Sequence, residues 1–173
     1  MSLLIRDLNF SDESDYRAAS NEFVGSGFDW FAPHEPQLAW TEYVATVHAW
    51  SRGESLPLGW VPVTTRIAEW DGVVAGRLSV RHELNDFLAH VGGHIGYGVR
   101  PAFRRRGIAT ALLRDGLEIA RRAGVAKVLV TCRDDNIGSA TVIERCGGVC
   151  RDTVEHPDGG QPMRRYDIVL SPA

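Results

Sequence analysis

Residues 98–113 read Gly-Val-Arg-Pro-Ala-Phe-Arg-Arg-Arg-Gly-Ile-Ala-Thr-Ala-Leu-Leu. They end a predicted strand over 92–99, pass through three consecutive arginines at 104–106, and continue from Gly107 into an amphipathic helix. The first N–H groups of a helix lack intrahelical partners and lie at the positive end of its dipole, so they bind anions, phosphate above all. The stretch therefore predicts a strand, a phosphate-binding turn and a helix, with a solvated arginine turn as the alternative.

This stretch resembles the acetyl-CoA signature of the GNAT superfamily of N-acetyltransferases. The family pattern is Gln or Arg, then Gly three residues later, then Gly or Ala. Here these are Arg104, Gly107 and Ala109, after a strand end at 98–101. The resemblance covers residues 61–169 and implies acetyl-CoA as the acyl donor. The residues implied to hold it are Tyr97, Gly98 and Val99 for the pantetheine arm, Arg104, Arg105, Arg106, Gly107, Ile108 and Ala109 for the pyrophosphate, and Asn136 and Ser139 further along.

A second segment resembles the family where a short helix follows the next strand. Asn136, Ser139, Arg145 and Gly147 fit the family spacing. Many members place a tyrosine where this chain has Ile143, and that tyrosine is thought to protonate the leaving thiolate. Either another group protonates the thiolate here, or the thiolate leaves without being protonated. The second route is open because the pKa of a CoA thiol is near that of free cysteine, about 8.5.

The chain of 173 residues predicts a single domain over residues 1–173. The expected fold class is α/β, more narrowly α+β. The resemblance implies a central mixed, mostly antiparallel sheet of about six to seven strands with a splayed parallel pair and about four flanking helices. Asp71-Gly72 predicts a hairpin turn between two of the strands. Helices are expected from an N-cap at Ser11 or Asp12, from near Pro36, from Arg105 or Arg106, and over 137–146.

Charge and cysteine content narrow the function classes. The net charge of −3 gives no general attraction to nucleic acid or anionic membranes. No apolar run approaches the ~20 residues of a membrane span, and the N-terminus does not resemble a signal peptide. The three cysteines predict reduced thiols in the cytoplasm. Cys146 and Cys150 lack the second pair that a zinc site needs, so no metal is expected.

An aromatic loop at 28–34 precedes the second predicted helix. It is interpreted either as a plug over one end of the core or as a lid over the acceptor. Acidic residues in the variable loops favour a cationic acceptor, although acidic loops are common. These residues are Asp29, Glu35, Glu83 and Asp86.

Direct acetyl transfer needs a neutral amine, a polarised thioester carbonyl and close positioning of the two reactants. The predicted catalytic residues are His94 and Glu83, with His82 and His90 as further candidate bases. His94 lies on the cofactor strand, and the usual histidine pKa suits a base. The alternatives are a histidine hydrogen-bonded within the sheet and a solvated glutamate. No nucleophile is required, and no Gly-x-Ser-x-Gly motif supports Cys132 or Ser139 in that role.

The sequence thus predicts an enzyme that moves an acetyl group from acetyl-CoA directly to a primary amine on a small molecule or a protein. A non-catalytic acyl-CoA-binding sensor is the main alternative. An arginine-led nucleic-acid module is a weaker one, because the net charge opposes it. Neither nucleic acid nor membrane is an expected partner, and a homodimer is one open expectation.

Overall fold

The computed structural model describes residues 2–31 and 38–171. The strands in this part of the chain are β1 (Leu3–Asp7), β2 (Val63–Trp70), β3 (Val73–Arg81), β4 (Ile95–Val99), β5 (Lys127–Arg133), β6 (Val149–Val154) and β7 (Met163–Val169). The α-helices are α1 (Glu13–Glu22), α2 (Trp40–Ser51), α3 (Ile108–Arg122) and α4 (Ile137–Arg145). The strands form one sheet in the order β1-β2-β3-β4-β5-β7-β6. The predicted mixed, mostly antiparallel sheet with flanking helices is confirmed.

β2 and β3 form the hairpin predicted around Asp71 and Gly72. Both turn residues have positive φ, 48° and 85°, as a two-residue hairpin turn of the type I′ class requires. The Asp71 carboxylate also accepts a hydrogen bond from the Ser2 backbone N–H at 2.7 Å. The turn is therefore tied to the start of β1, the neighbouring strand.

β4 and β5 are the one parallel pair among the strands described, and they diverge. Ile95 lies opposite Val130, and the structure gives no further pair between these strands in the described residues. On its other side β4 stays paired with β3 along its whole length. The edge of β4 that faces β5 therefore leaves backbone groups without a ladder partner beyond Ile95. This is the predicted splay.

The two faces of the sheet carry different layers. α3 and α4 cover one face with an aliphatic core that includes Leu78, Ile95 and Leu112. In the middle of α3, a Cβ on Gly116 would lie 3.1 Å from Leu78 Cδ1 and 3.2 Å from Ile95 Cδ1. The helix therefore packs closely on the sheet at this glycine, as its position within a helix predicts.

α1 and α2 cover the opposite face with an aromatic core. Its buried rings include Tyr16, Trp30, Phe31 and Tyr43, which pack edge to face or tilted. The Tyr16 hydroxyl lies 2.8 Å from the Tyr43 hydroxyl and accepts a hydrogen bond from Nε of buried Arg77 at 2.9 Å. This network gives Tyr16, Tyr43 and Arg77 partners within a largely aromatic core, whereas the buried Trp30 Nε1 has no hydrogen-bond partner in the part of the chain described.

Of the two helix starts predicted on this face, that of α1 is confirmed and that of α2 is wrong. α2 begins at Trp40 rather than near Pro36, because Ala39 is extended, with ψ of 136°. Pro36 lies outside the described residues, as do Pro33, His34 and Glu35 of the predicted loop. α1 begins at Glu13 with Asp12 at the N-cap position, as predicted, but the Asp12 side chain makes no capping hydrogen bond. A 3-10 turn over Phe10–Asp12, capped by Asn9, precedes the helix. The Asp12 carboxylate instead binds the Arg6 guanidinium at 2.7 and 2.8 Å.

Among the residues described, no helix combines the length and the hydropathy that crossing a bilayer would demand.

Candidate functional site

The turn between β4 and α3 leaves the start of α3 without a capping side chain. After a 3-10 turn over Pro101–Phe103, Arg105 and Gly107 both have positive φ, 63° and 81°, and Gly107 is the N-cap residue. α3 therefore begins at Ile108, so the predicted start at Arg105 or Arg106 is wrong. A Cβ on Gly107 would meet nothing within 4 Å. The first N–H groups of α3 thus lie beside open space, where an anion can bind.

The three arginines of the turn have different surroundings. Arg104 donates from Nε to the Val99 carbonyl at 3.1 Å, which ties the turn back to the end of β4. Arg105 lines the cleft described below. The Arg106 guanidinium instead stacks on Trp70 at 5.5 Å from the ring centroid and donates to the Ala102 carbonyl at 3.3 Å. The Arg106 side chain therefore packs on Trp70 and does not line the cleft, whereas the sequence predicted it as a pyrophosphate ligand.

The start of α4 lies across from this turn. The Asn136 side chain caps α4 by accepting a hydrogen bond from the Ser139 backbone N–H at 3.0 Å. The Ser139 hydroxyl in turn lies 2.9 Å from the Tyr97 hydroxyl of β4. Burial raises the pKa of Tyr97, so its phenol stays neutral at physiological pH. These contacts join α4 to β4 where β4 and β5 diverge.

A cleft of about 1130 Å³ runs between the turn, the start of α4 and the loop that follows α1. Apart from Arg106, every residue predicted to hold the cofactor lines it. These residues are Tyr97, Gly98, Val99, Arg104, Arg105, Gly107, Ile108, Ala109, Asn136 and Ser139. The structure therefore brings together groups that are up to 42 positions apart in the sequence, as for Tyr97 and Ser139.

Two further cations line this cleft: Arg133, which sequence reasoning missed, and Arg145, which it matched to the family's second segment without assigning it to the cofactor. Arg133 lies at the carboxyl end of β5, the strand end at which open sheets with flanking helices place ligands. It also donates to the Asp135 carboxylate at 3.1 Å. With Arg104 and Arg105, these residues give the cleft an excess of positive charge over the carboxylate of Asp135, which suits an anionic ligand.

The predicted aromatic loop divides into two parts. Trp30 and Phe31 are buried in the aromatic core, so this part is the predicted plug. Phe28 is half-buried, lines the cleft, and lies so close to β4 that a Cβ on Gly98 would be 2.8 Å from its ring. Residues 32–37, which include the rest of the loop, lie outside the described residues.

The residues predicted as catalytic bases do not line this cleft. His94 is 6% exposed, and its Nδ1 accepts a hydrogen bond from the Leu129 backbone N–H at 2.9 Å. Burial lowers the pKa of His94, so the ring is neutral and carries its proton on Nε2. Glu83 is exposed, and neither it nor His94 lines the cleft. The His82 Nε2 lies 2.8 Å from the Thr64 hydroxyl, and His90 is exposed in a π-helical turn over Leu88–Gly92.

Two other candidate positions are buried. Burial raises the pKa of the Cys132 thiol to about 11, which keeps it protonated and unreactive near neutral pH. Ile143 is fully buried in the aliphatic core beneath α4. The side chain that stands in the place of the family's tyrosine therefore serves packing.

Comparison with solved structures shows the same fold. The chain superposes on an acetyltransferase of the GNAT family from Streptococcus pneumoniae with a TM-score of 0.71 at 15% identity, covering 98% of this chain and 100% of that one. For yncA from Salmonella typhimurium, solved with its cofactor acetyl-CoA, the TM-score is 0.66 at 17% identity, with coverage of 99% and 95%. For RimJ from Mycobacterium smegmatis, in complex with CoA-disulfide, the TM-score is 0.66 at 21% identity, with coverage of 96% and 81%.

Among curated protein sequences, none matches this chain. The family model described as the acetyltransferase (GNAT) family matches residues 22–148, which include the turn before α3 and the start of α4. The match therefore spans most of the chain and the whole of the cleft's lining. The chain belongs to the acetyltransferase (GNAT) family.

Proposed function

We propose that this protein transfers an acetyl group from acetyl-CoA directly to the primary amine of an acceptor. The observation that carries the proposal is the uncapped start of α3 at Gly107, which opens into a cleft with excess positive charge. Two structures of the same fold, yncA and RimJ, were solved with acetyl-CoA and with CoA-disulfide. Family membership supports the acetyl chemistry, and the cleft supports the donor.

The pyrophosphate is assigned to the backbone N–H groups around Gly107, Ile108 and Ala109, with Arg104 and Arg105 beside them. A phosphate at this position gains both from unpaired N–H donors and from the helix dipole. The side chain of Arg106 is left out of this assignment, because it packs on Trp70. Asn136 and Ser139 remain the predicted contacts further along the cofactor.

The pantetheine arm is assigned to the edge of β4 from Tyr97 to Val99, where β5 has diverged. Its amides would pair with backbone groups that otherwise lack ladder partners. A backbone N–H of this edge is also the natural donor to the thioester oxygen, on which negative charge develops during attack by the amine. The enzyme then accelerates transfer by polarising the carbonyl and by positioning both reactants.

The proton of the attacking amine has to leave as the new bond forms. His94 and Glu83 stay the predicted bases, but the Nδ1 lone pair of His94 is engaged by Leu129 and Glu83 is exposed. An amine that arrives neutral has already lost one proton to solvent, and the second proton, released as the amide forms, can pass to the departing CoA thiolate or to water. The single domain, the cytoplasmic location and a homodimer stay predictions.

The substitution Gly107→Asp tests the donor site. A carboxylate beside the pyrophosphate should weaken acetyl-CoA binding roughly 10- to 100-fold, because like charges a few ångströms apart cost on the order of 1–4 kcal/mol near a surface. Isothermal titration calorimetry measures the affinity. The matched control is Gly124→Asp at the other end of α3, where the glycine has the same φ (84° against 81°) and equally open surroundings.

Equal loss in both variants would trace the effect to backbone strain and would contradict the assignment of the pyrophosphate. Release of CoA thiol, followed over a panel of amines, then tests the transfer itself. Binding of acetyl-CoA with no amine-dependent release would favour the acyl-CoA sensor instead.

A further inference from the structure

A second cavity, of about 320 Å³, lies on the sheet face that α1 and α2 cover. Its walls are mostly apolar and include the rings of Trp60 and Phe87 with Val63 and Leu88. Ser79 and Arg81 of β3 supply polar groups from the sheet side. Small apolar pockets with a few placed polar groups are the usual form of a small-molecule site.

Arg81 is the charged side chain of this cavity, and it has no carboxylate partner among the residues described. The Arg81 Nη1 donates to the Gly92 carbonyl, but this hydrogen bond is long at 3.5 Å. Burial and the nearby charge of Arg77 together lower the pKa of Arg81 to about 10, so it remains a cation at neutral pH. A desolvated guanidinium without a counter-charge gains strongly from an anion, and a carboxylate matches its planar donors best.

Gly96 of β4 makes room for this guanidinium. A Cβ on Gly96 would lie 3.3 Å from both Arg81 Nη1 and the Ser79 hydroxyl. The bare backbone of β4 therefore lets Arg81 lie flat over the strand. Asn85, the other polar side chain of the cavity, is already engaged, since it donates to the Gly59 carbonyl and accepts from the Leu88 N–H. An incoming ligand thus finds Arg81 as the principal free polar group.

The cavity lies next to the point where the acetyl group is expected. Gly98, which lines the cofactor cleft, and Gly96, which touches Arg81, are two residues apart on one face of β4. Two residues of a strand span about 7 Å. This distance is comparable to the length of a small amino acid, so a molecule bound at Arg81 can extend its amine toward a thioester held along β4.

We propose that the second cavity binds the acceptor, and that the acceptor is an amine that also carries a carboxylate and an apolar side chain. The inference rests on the proposed acetyl transfer. The carboxylate pairs with Arg81, and the apolar part lies against Trp60 and Phe87. Both rings reach the surface, with exposed fractions of 42% and 53%, and so form the mouth of the cavity.

This assignment differs from the cationic acceptor that the acidic loops suggested. Of those acidic residues, Asp29, Glu83 and Asp86 lie in the described part of the chain, and none of them lines the cavity. The charge that faces the ligand is the positive charge of Arg81. We therefore assign the acceptor class from a half-buried cation of β3 rather than from the loop carboxylates around it.

The test compares amino acids with the amines that lack only their carboxylate. The pairs are L-phenylalanine with phenethylamine, L-leucine with 3-methylbutylamine, and L-methionine with 3-(methylthio)propylamine. Release of CoA thiol from acetyl-CoA gives kcat/KM for each member. We expect at least one pair to favour the amino acid, and the variant Arg81→Met to reduce that preference about 10- to 100-fold, which is the usual effect of a charged hydrogen bond.

Two variants keep this test interpretable. Arg122→Met removes an arginine from the exposed face of α3, where the side chain is 73% exposed, and should leave the preference unchanged. Arg81→Lys retains the charge and should retain part of the preference. A wild-type enzyme that prefers the amine in every pair, or a preference that survives Arg81→Met, would overturn the inference while leaving the proposed transfer intact.

A binding measurement covers the case in which no amine is acetylated. Calorimetry with the CoA-loaded protein compares N-acetyl-L-phenylalanine with N-acetylphenethylamine, in the wild type and in Arg81→Met. Tighter binding of the carboxylate by the wild type alone supports the carboxylate site even if the acetyl transfer fails. Equal binding, or binding of neither compound, overturns it.

Discussion

His94 illustrates how a residue with suitable chemistry can serve the sheet instead of the reaction. Its backbone N–H donates to the Leu129 carbonyl at 2.7 Å, and its Nδ1 accepts from the Leu129 N–H at 2.9 Å. Both bonds join β4 to β5 beside Ile95 and Val130, where these strands are paired. The side chain therefore closes the narrow end of the splay, and the open end is left for the ligand.

Replacing His94 tests this structural role. His94→Ala leaves the buried Leu129 N–H without its acceptor, and we expect a loss of about 1–3 kcal/mol in the free energy of unfolding. His94→Gln offers an amide oxygen in its place and should recover part of that loss. Chemical denaturation measures both. If His94→Ala is as stable as the wild type but loses its transfer activity near neutral pH, the residue is the base after all.

The pH dependence gives an independent check of the same residue. Burial lowers the pKa of His94 below its ordinary value of 6.5, so the unfolded chain binds a proton more readily than the folded one. Stability should therefore be full above pH 6.5 and fall as the pH drops below it. Burial also lowers the pKa of His82, so the comparison needed is the wild type against His94→Gln. The variant should lose less stability between pH 7.5 and 5.5.

For α3, the glycine that permits close packing makes a second prediction. Gly116→Ala gains helix propensity of up to about 1 kcal/mol, but its Cβ would lie 3.1 Å from Leu78 and 3.2 Å from Ile95. Overpacking a tight core costs about 1–3 kcal/mol, so we expect a net loss of stability. Gly138→Ala in α4 is the control, because its nearest neighbour would be Asn136 Oδ1 at 3.7 Å. Thermal unfolding should rank Gly138→Ala above the wild type and Gly116→Ala below it. If both variants are more stable than the wild type, the core around Gly116 has room for a Cβ, which would contradict the close packing of α3 on the sheet.

The elements that the sequence predicts well are those fixed by local chemistry. The Asp71-Gly72 hairpin follows from the φ values that its turn requires, and β5 follows from its continuous apolar run. The start of α3 was misplaced because Arg105 takes a left-handed conformation that nothing in its residue type indicates. The start of α2 was misplaced because its N-cap residue is Ala39, whose side chain cannot cap a helix and so leaves no signal in the sequence.

Across the whole molecule, the two candidate binding sites involve different faces of the sheet. The turn before α3 and the start of α4 line the cleft that we assign to the donor, while the opposite face carries the aromatic core and the cavity at Arg81. Sequence motifs predicted residues that line the cleft because the signature lies in one stretch of chain. The cavity at Arg81 has no such signature, since Trp60, Ser79 and Phe87 come together only when the segment before β2, strand β3 and the loop after β3 pack against one another.

Phe28, in the loop after α1, lies against Gly98 of β4, and both residues line the donor cleft. A Cβ on Gly98 would lie 2.8 Å from the Phe28 ring, so Gly98→Ala has to displace that ring. We expect Gly98→Ala to cost about 1–3 kcal/mol of stability and to weaken acetyl-CoA binding, because the displaced ring lines the cleft. In a Phe28→Ala background the same substitution should cost at least about 1 kcal/mol less, as contacting residues couple in double-mutant cycles.

Gly96→Ala supplies the control for this cycle. Gly96 lies on the same face of β4, but a Cβ there would approach Arg81 and Ser79 rather than Phe28. Its cost should therefore be the same with and without the Phe28 ring. Denaturation of the two single glycine variants, Phe28→Ala and both double variants measures the coupling. Additive costs for Gly98→Ala and Phe28→Ala would mean that the loop after α1 does not rest on β4, and Phe28 would then have no part in shaping the donor cleft.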